Sequence, residues 1–314
     1  MEKQPFVSVV IPTYNRGVLL RECLNSLLSQ TYPQDSYEII VVDDGSTDTT
    51  QYVLEEYSKN EKVGFSWVSQ PNQGCGIARQ TGVKKARGEI LCFTDDDCTP
   101  TKDWIYSIVK CFKSDDNIGG VGGKIIAFKP NSIIERYARK NQFFNQELHT
   151  GYFITANASY KKIILDKVGG FDPYMLLCED LDLSIQTQLL GYSLKYCPEA
   201  IVYHKHRSSL RNLAKQMFGY GISFSRLHNK YPRAFNILSR GFLMSRRFFM
   251  AIILLPLKMI KNMLIERDKI LAVVEPFIDV LVLSSHLSGT FYDFLFGEKY
   301  PGKIIYDELK FFKY

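Results

Sequence analysis

The chain has 314 residues, enough to bury a full core as one large domain or as a domain with a substantial appendage. Apolar residues at 46% and charged residues at 23% exclude an intrinsically disordered chain, and a net charge of +6 gives a mild bias toward phosphate-bearing ligands or an anionic membrane face. The seven cysteines, Cys23, Cys75, Cys92, Cys98, Cys111, Cys178 and Cys197, are odd in number and include no C-x-x-C pair, so a reduced compartment is expected. The opening "MEKQPFVSVVIPTYNR" reaches proline and polar residues after a short apolar run, unlike a signal peptide, and a cytoplasmic location follows as the expectation.

Up to about residue 125, β-branched runs alternate with helical patterns. "FVSVVIP", "YEIIVVDD", "GFSWVSQ" and "GEILCFTDDD" predict strands, and "LLRECLNSLLSQ", "TTQYVLEEYSK" and "GIARQTGVKKARG" predict the helices between them. Strands apolar on both faces, separated by helices, imply an α/β fold whose largely parallel sheet is covered on both sides. The polar clusters "PTYN", "DDGSTD" and "DDDCTP" each follow a strand's C-terminal end, where open α/β sheets place ligands. Beyond Gly119, "GGVGGKIIAF" predicts a strand and "SIIERYARKNQFFNQ" a helix. The stretch up to "IVYHKH" predicts strand, helix, helix and strand, and "SLRNLAKQMFGYGISFSRL" a further helix. Two C-terminal apolar runs, "FFMAIILLPL" and "ILAVVEPFIDVLVLSSHL", are interrupted by Lys258 or by Glu275, Pro276 and Asp279, short of the roughly 20 apolar residues that span a bilayer. Three readings stand: buried or partner-packing helices, an interfacial anchor flanked by Arg246, Arg247, Lys258 and Lys261, or a spanning helix.

Three consecutive carboxylates, Asp95, Asp96 and Asp97, at the end of a buried strand repel one another unless a cation sits among them, and hard oxygen ligands suit Mg²⁺ or Mn²⁺. The competing reading is an acidic loop with Asp97 capping a helix. "VVDDGSTD" supplies Asp43 and Asp44, with Ser46 and Thr47 able to cap the next helix; a carboxylate there can also accept from a nucleobase imide N–H. "NQGCGIARQTG" puts Gly74 and Gly76 at a helix start, with Arg79 able to fork onto a phosphate or ribose. In "HKH", strand alternation sends His204 and His206 to one face, and "LCEDLDLS" opens a helix with Glu179, Asp180 and Asp182, residues suited to the helix dipole or to a general base.

Taken in order, "VSVVIPTYNR", "EIIVVDDGSTD", "NQGCGIARQTGVKKARGE", "FTDDDC", "GGFDPYMLLCEDLDLSIQTQLLGY" and "VYHKHRSSL" resemble the signatures of the family-two inverting glycosyltransferases with the GT-A fold, over roughly residues 5 to 225. The resemblance implies a GT-A domain over 1–225, its nucleotide-binding half about 1–125 and its acceptor half about 126–225, with a helical region over 226–314. It also implies that Pro12, Tyr14 and Asp44 hold a nucleotide base and that Gly74, Arg79, Asp95 and Asp96 lie along the nucleotide-sugar. Asp97, Asp95 and His204 would bind Mn²⁺ or Mg²⁺, His206 being the lesser choice, and Asp180, beside Glu179, would be the base. The implied donor is a nucleotide-diphospho-sugar, a UDP-sugar first. The implied acceptor is a saccharide or polyprenyl-linked saccharide at an inner-membrane surface, with no nucleic-acid partner. Processive relatives carry Q-x-x-R-W. Here Gln216 is followed by Gly219 and Tyr220 at the Arg and Trp positions, which favours transfer of a single sugar. A sugar-nucleotide pyrophosphorylase and a catalytically silent nucleotide-binding scaffold are the alternatives.

Overall fold

The structure is a computed structural model that describes residues 4–148, 151–175, 177–232, 237–266 and 268–297. The predicted alternation is present at the start of the chain: β1 (Val7–Thr13), α1 (Gly17–Leu28), β2 (Tyr37–Asp43), α2 (Thr50–Tyr57), β3 (Gly64–Ser69), α3 (Cys75–Lys85) and β4 (Ile90–Thr94). There follow β5 (Cys98–Pro100), α4 (Trp104–Phe112), β6 (Ile118–Ala127), α5 (Ile133–Lys140), β7 (Asn157–Lys161), α6 (Lys162–Val168), α7 (Glu179–Leu189) and β8 (Ser193–His204). The helices α8 (Leu210–Lys230), α9 (Ile237–Ile253), α10 (Leu255–Ile265) and α11 (Lys269–Phe296) complete the described chain.

The eight strands form one sheet in the order β3-β2-β1-β4-β7-β6-β8-β5. The pairs among β1 to β4 and the β6–β8 pair are parallel, whereas β7 runs antiparallel to β4 and β6 and β5 runs antiparallel to β8, so the sheet is mostly parallel but mixed. Alternation along β1 explains why both faces are covered. Val7, Val9 and Ile11 enter one core with Leu20, Leu24 and Trp104, while Val10 enters the other with Ile40, Phe93 and Leu183. Two expectations are corrected. Residues 98–100, read as loop, form β5 because their backbone pairs with β8, and the helix expected over "SIIERYARKNQFFNQ" ends at Lys140. Its start is fixed by a capping box between Ser132 and Glu135.

The chain divides into two compact units, the first comprising Met1–Phe128, Phe144–Pro173 and Glu179–Lys205, the second Lys129–Phe143, Tyr174–Cys178 and His206–Tyr314. The boundary expected near 225 falls inside α8, which groups with the C-terminal helices because it packs along α11. In this second unit α5 is tied to α11 and the residue before it: Tyr137 Oη donates to Asp279 Oδ1 at 2.7 Å, Lys140 Nζ to Glu275 Oε2 at 2.6 Å, and Arg136 Nη1 to Asp268 Oδ2 at 2.5 Å. The apolar runs also need correction. The second lies within one continuous helix of 28 residues, α11, long and apolar enough to cross a bilayer, and 28% of its most apolar stretch is buried. The helix runs through Glu275 and Asp279, whose oxygens are taken up by Lys140, Asn262, Tyr137 and Lys258. The first run bends by 68° at the α9–α10 junction.

Candidate active site

Parallel pairing brings the ends of β1, β2 and β4 to one edge of the first unit, so the loops after Thr13, Asp43 and Thr94 converge there. The first two are laced together. Asn15 N donates to Ser46 Oγ at 2.8 Å, Thr47 N donates to Asn15 Oδ1 at 2.7 Å, and Ser46 N donates to Asp43 Oδ1 at 2.9 Å. Ser46 and Thr47, expected to cap α2, are thus spent on the neighbouring loop, and Asp48 serves the helix start by accepting from Thr50 N at 3.0 Å. Pro12 is buried in β1 opposite Val42, and Tyr14 just beyond it is exposed.

Asp44 is buried and accepts three hydrogen bonds, from Gln70 Nε2 at 2.8 Å, Gln73 N at 3.0 Å and Gly74 N at 2.8 Å. It therefore fastens the loop that opens α3. Gly74 turns that loop with φ +93°, a left-handed value that favours glycine, and a Cβ there would meet nothing within 4 Å, so the loop faces open space.

The acidic triplet follows β4, and its cations are two arginines. Arg79, on α3, is buried and bridges Asp95 Oδ1 at 2.6 Å to Glu179 Oε1 at the start of α7. Its Nε is buried with no partner among the described residues. Burial alone would raise Asp95, but Arg79, His204 and Arg16 outweigh it and hold its carboxyl below the ordinary range. Arg16 Nη1 contacts Asp96 Oδ1 at 2.9 Å and Asp97 Oδ2 at 2.6 Å, while Asp96 Oδ2 accepts from Thr13 Oγ1 at 2.8 Å. Asp97 does not cap a helix, since α4 begins only at Trp104.

His204 ends β8 opposite Cys98 of β5, and its Nε2 lies 3.4 Å from Asp97 Oδ1. Adjacent octahedral ligands with bonds of about 2.1 Å lie roughly 3 Å apart, so this pair fits a divalent ion. Cys98 Sγ completes a group of donor atoms within 4.8 Å of one another. Asp95, expected to share the ion, lies outside that group and is held by Arg79. His206 lies beyond the end of β8, which stops at His204 and so ends the alternation, and it groups with the second unit.

Asp180, the second residue of α7, accepts from Leu181 N at 2.8 Å and from Thr155 N at 3.4 Å. Burial pushes its carboxyl up and the adjacent Glu179 pushes it further against the pull of Arg79, bringing it to about 7. Sequence reasoning missed Arg16 and Thr13. The one available signal was a cation in "IPTYNR", three residues past the end of β1.

Residues 8–169, just over half the chain, match the model "Glycosyl transferase family 2", and residues 90–291 match "Glycosyl transferase family group 2". The chain belongs to glycosyl transferase family 2. The glycosyltransferase AglE of Haloferax volcanii is 32% identical over 219 residues, which cover 68% of this chain and 71% of AglE. A second relative is 24% identical, covering 69% of this chain and 72% of its own length. It is the dolichyl N-acetyl-alpha-D-glucosaminyl phosphate 3-beta-D-2,3-diacetamido-2,3-dideoxy-beta-D-glucuronosyltransferase of Methanococcus voltae. Among solved structures, the mannosyltransferase PcManGT of Pyrobaculum calidifontis, in complex with GDP-Man and Mn²⁺, superposes with a TM-score of 0.68 at 22% identity over 94% of this chain and 88% of that one. The likeness establishes the GT-A fold. This family 2 chain is a glycosyltransferase, which sets the pyrophosphorylase reading aside.

Proposed function

We propose that this glycosyltransferase moves one sugar from a nucleotide-diphospho-sugar to a saccharide or lipid-linked saccharide, inverting the anomeric carbon, with Asp180 as the base. The observation that carries the proposal is a chain of contacts: Asp180 neighbours Glu179, Glu179 binds Arg79, and Arg79 binds Asp95 of the acidic triplet. A base held near pH 7 thus stands two ion pairs from the carboxylates that would face the donor.

In this reading Pro12 and Tyr14 flank the nucleotide base, and Asp44 receives its imide while still holding the Gly74 loop. Arg79, held between Asp95 and Glu179, lies along the ribose or diphosphate. Asp97 and His204 hold the divalent ion, Mn²⁺ or Mg²⁺, which when bound would offset charge on the leaving diphosphate. Asp180 takes the proton of the acceptor hydroxyl as that oxygen attacks opposite the leaving group, and one displacement inverts the configuration.

UDP-sugars are the first donors to test. A lipid-linked acceptor is supported by the substrate named for the Methanococcus voltae relative, and a position on the cytoplasmic membrane face by the second unit. From Ser245 to Ile265 the α9–α10 elbow has no acidic residue, carries exposed Arg246, Arg247 and Lys261, and exposes Phe249, Ile253, Leu257 and Leu264; Lys258 is instead paired with Asp279. The deciding experiment is a donor panel with Mn²⁺, read as glycosyl transfer or donor hydrolysis and as thermal stabilisation. Asp180→Asn should still be stabilised by the donor but lose turnover by about 10²–10⁴-fold; near-normal turnover in that variant would remove Asp180 from its role.

A further inference from the structure

Asp96, the middle carboxylate, faces neither His204 nor Arg79, yet it is 3% exposed and both its oxygens are engaged. Thr13 Oγ1 donates to one oxygen at 2.8 Å, and Arg16 Nη1 donates to the other at 2.9 Å. Each partner is fixed independently. Thr13 is the last residue of β1, in register with Asp43, and Arg16 precedes α1, its N–H donating to Thr50 Oγ1 at 3.2 Å and its C=O accepting from Leu20 N at 2.9 Å. From this anchor the same Nη1 of Arg16 reaches Asp97 Oδ2 at 2.6 Å, while Asp97 Oδ1 faces His204 Nε2 at 3.4 Å. One oxygen of Asp97 is therefore clamped and the other presented at chelating distance from the imidazole.

We propose that Thr13, Asp96 and Arg16 form a positioning relay that sets Asp97 for the divalent ion. The proposal rests on the reading of Asp97 and His204 as the ligand pair. Asp96 and Asp97 share the guanidinium of Arg16, so part of its positive charge is offset within the clamp itself. A carboxylate ligand so oriented loses less freedom on binding, and removal of such a supporting partner typically weakens metal binding by about 10–100-fold.

The test is Mn²⁺ affinity of the EDTA-treated full chain, measured as free Mn²⁺ by electron paramagnetic resonance, with thermal melting in EDTA to verify folding. Arg16→Met should weaken binding by about 10–100-fold, Thr13→Val by a smaller factor, and the double variant no more than Arg16→Met alone, because one relay is lost only once. Arg16→Lys should recover part of the loss. Should Arg16→Met melt before measurement, Thr13→Val, which keeps shape and removes a single donor, carries the test. Loss of binding in Asp97→Ala with wild-type or tighter binding in both Arg16→Met and Thr13→Val would overturn the relay and leave the ligand pair standing. Equal binding by wild type and Asp97→Ala would overturn the ligand pair and the relay with it.

Discussion

At Asp180, burial and the charge of Glu179 keep the proton bound until about pH 7, an unusual position for a carboxyl and a useful one for a base. The ionised form is the reactive one, so the rate should rise about tenfold per pH unit below 7 and level off above it, a profile measurable as kcat/KM against pH at saturating Mn²⁺. Stability should move the other way. A carboxyl whose folded value exceeds its unfolded value of 3.8 favours the folded state only while protonated, so its ionisation costs stability as pH rises from that range to about 7. Asp180→Asn should therefore melt higher than wild type above pH 7, with the gap shrinking toward pH 5. An Asn variant that melts lower throughout would show that the carboxylate is a structural partner. The triplet was legible as a demand for positive charge, since like charges cannot be packed without it. That Arg16 and Arg79 answer it was not, because those contacts join residues 81 and 16 positions apart, and neither cation lies on the acidic loop.

Among elements, the α8–α11 crossing depends on two glycines. A Cβ on Gly221 would come 2.1 Å from the carbonyl oxygen of His286, and one on Gly289 would come 1.9 Å from that of Phe218. The obstacles are helix backbone, which cannot swing aside as a side chain can, and Thr290 Oγ1 adds a hydrogen bond to the Gly221 carbonyl at 3.2 Å. Gly289→Ala should lower stability by about 1–3 kcal/mol in chemical denaturation, despite alanine's better helix propensity. A neutral or stabilising result would mean the helices are not in backbone contact. The sequence displayed "GYG" and "SGT" but could not pair them, because helix periodicity states which face is small and not which helix faces it. Asp44 behaves similarly: its strand-end position was readable, whereas its grip on Gln70, Gln73 and Gly74 required the loop to fold back.

At the scale of the molecule, the proposed membrane-face position is a property of the second unit and is tested there. The reading of the α9–α10 elbow as an interfacial anchor predicts that the full chain sediments with vesicles rich in anionic phosphatidylglycerol, not with neutral ones. Arg246→Glu and Arg247→Glu should each weaken this binding by at least about 1 kcal/mol, roughly fivefold, and Ile253→Asp with Leu257→Asp should abolish it. Release from native membranes by high salt or alkaline carbonate fits a peripheral protein. Extraction by detergent alone would instead assign α11 as a spanning helix, as its length and composition allow.

The sequence by itself determined the alternating strands and helices, the strand ends where a ligand site belongs, and the ordered motifs that place the chain in its family. Each of these is written in local periodicity, in turn residues or in short contiguous patterns. Tertiary structure alone decided which arginine neutralises which carboxylate, that Asp95 is held by Arg79 and lies outside the Asp97–Cys98–His204 group, that α8 groups with the C-terminal helices, and that α11 runs unbroken through two acidic residues and a proline. Those outcomes depend on charges and surfaces that meet only after the chain has closed loops of tens to hundreds of residues, and no local pattern records its distant partner.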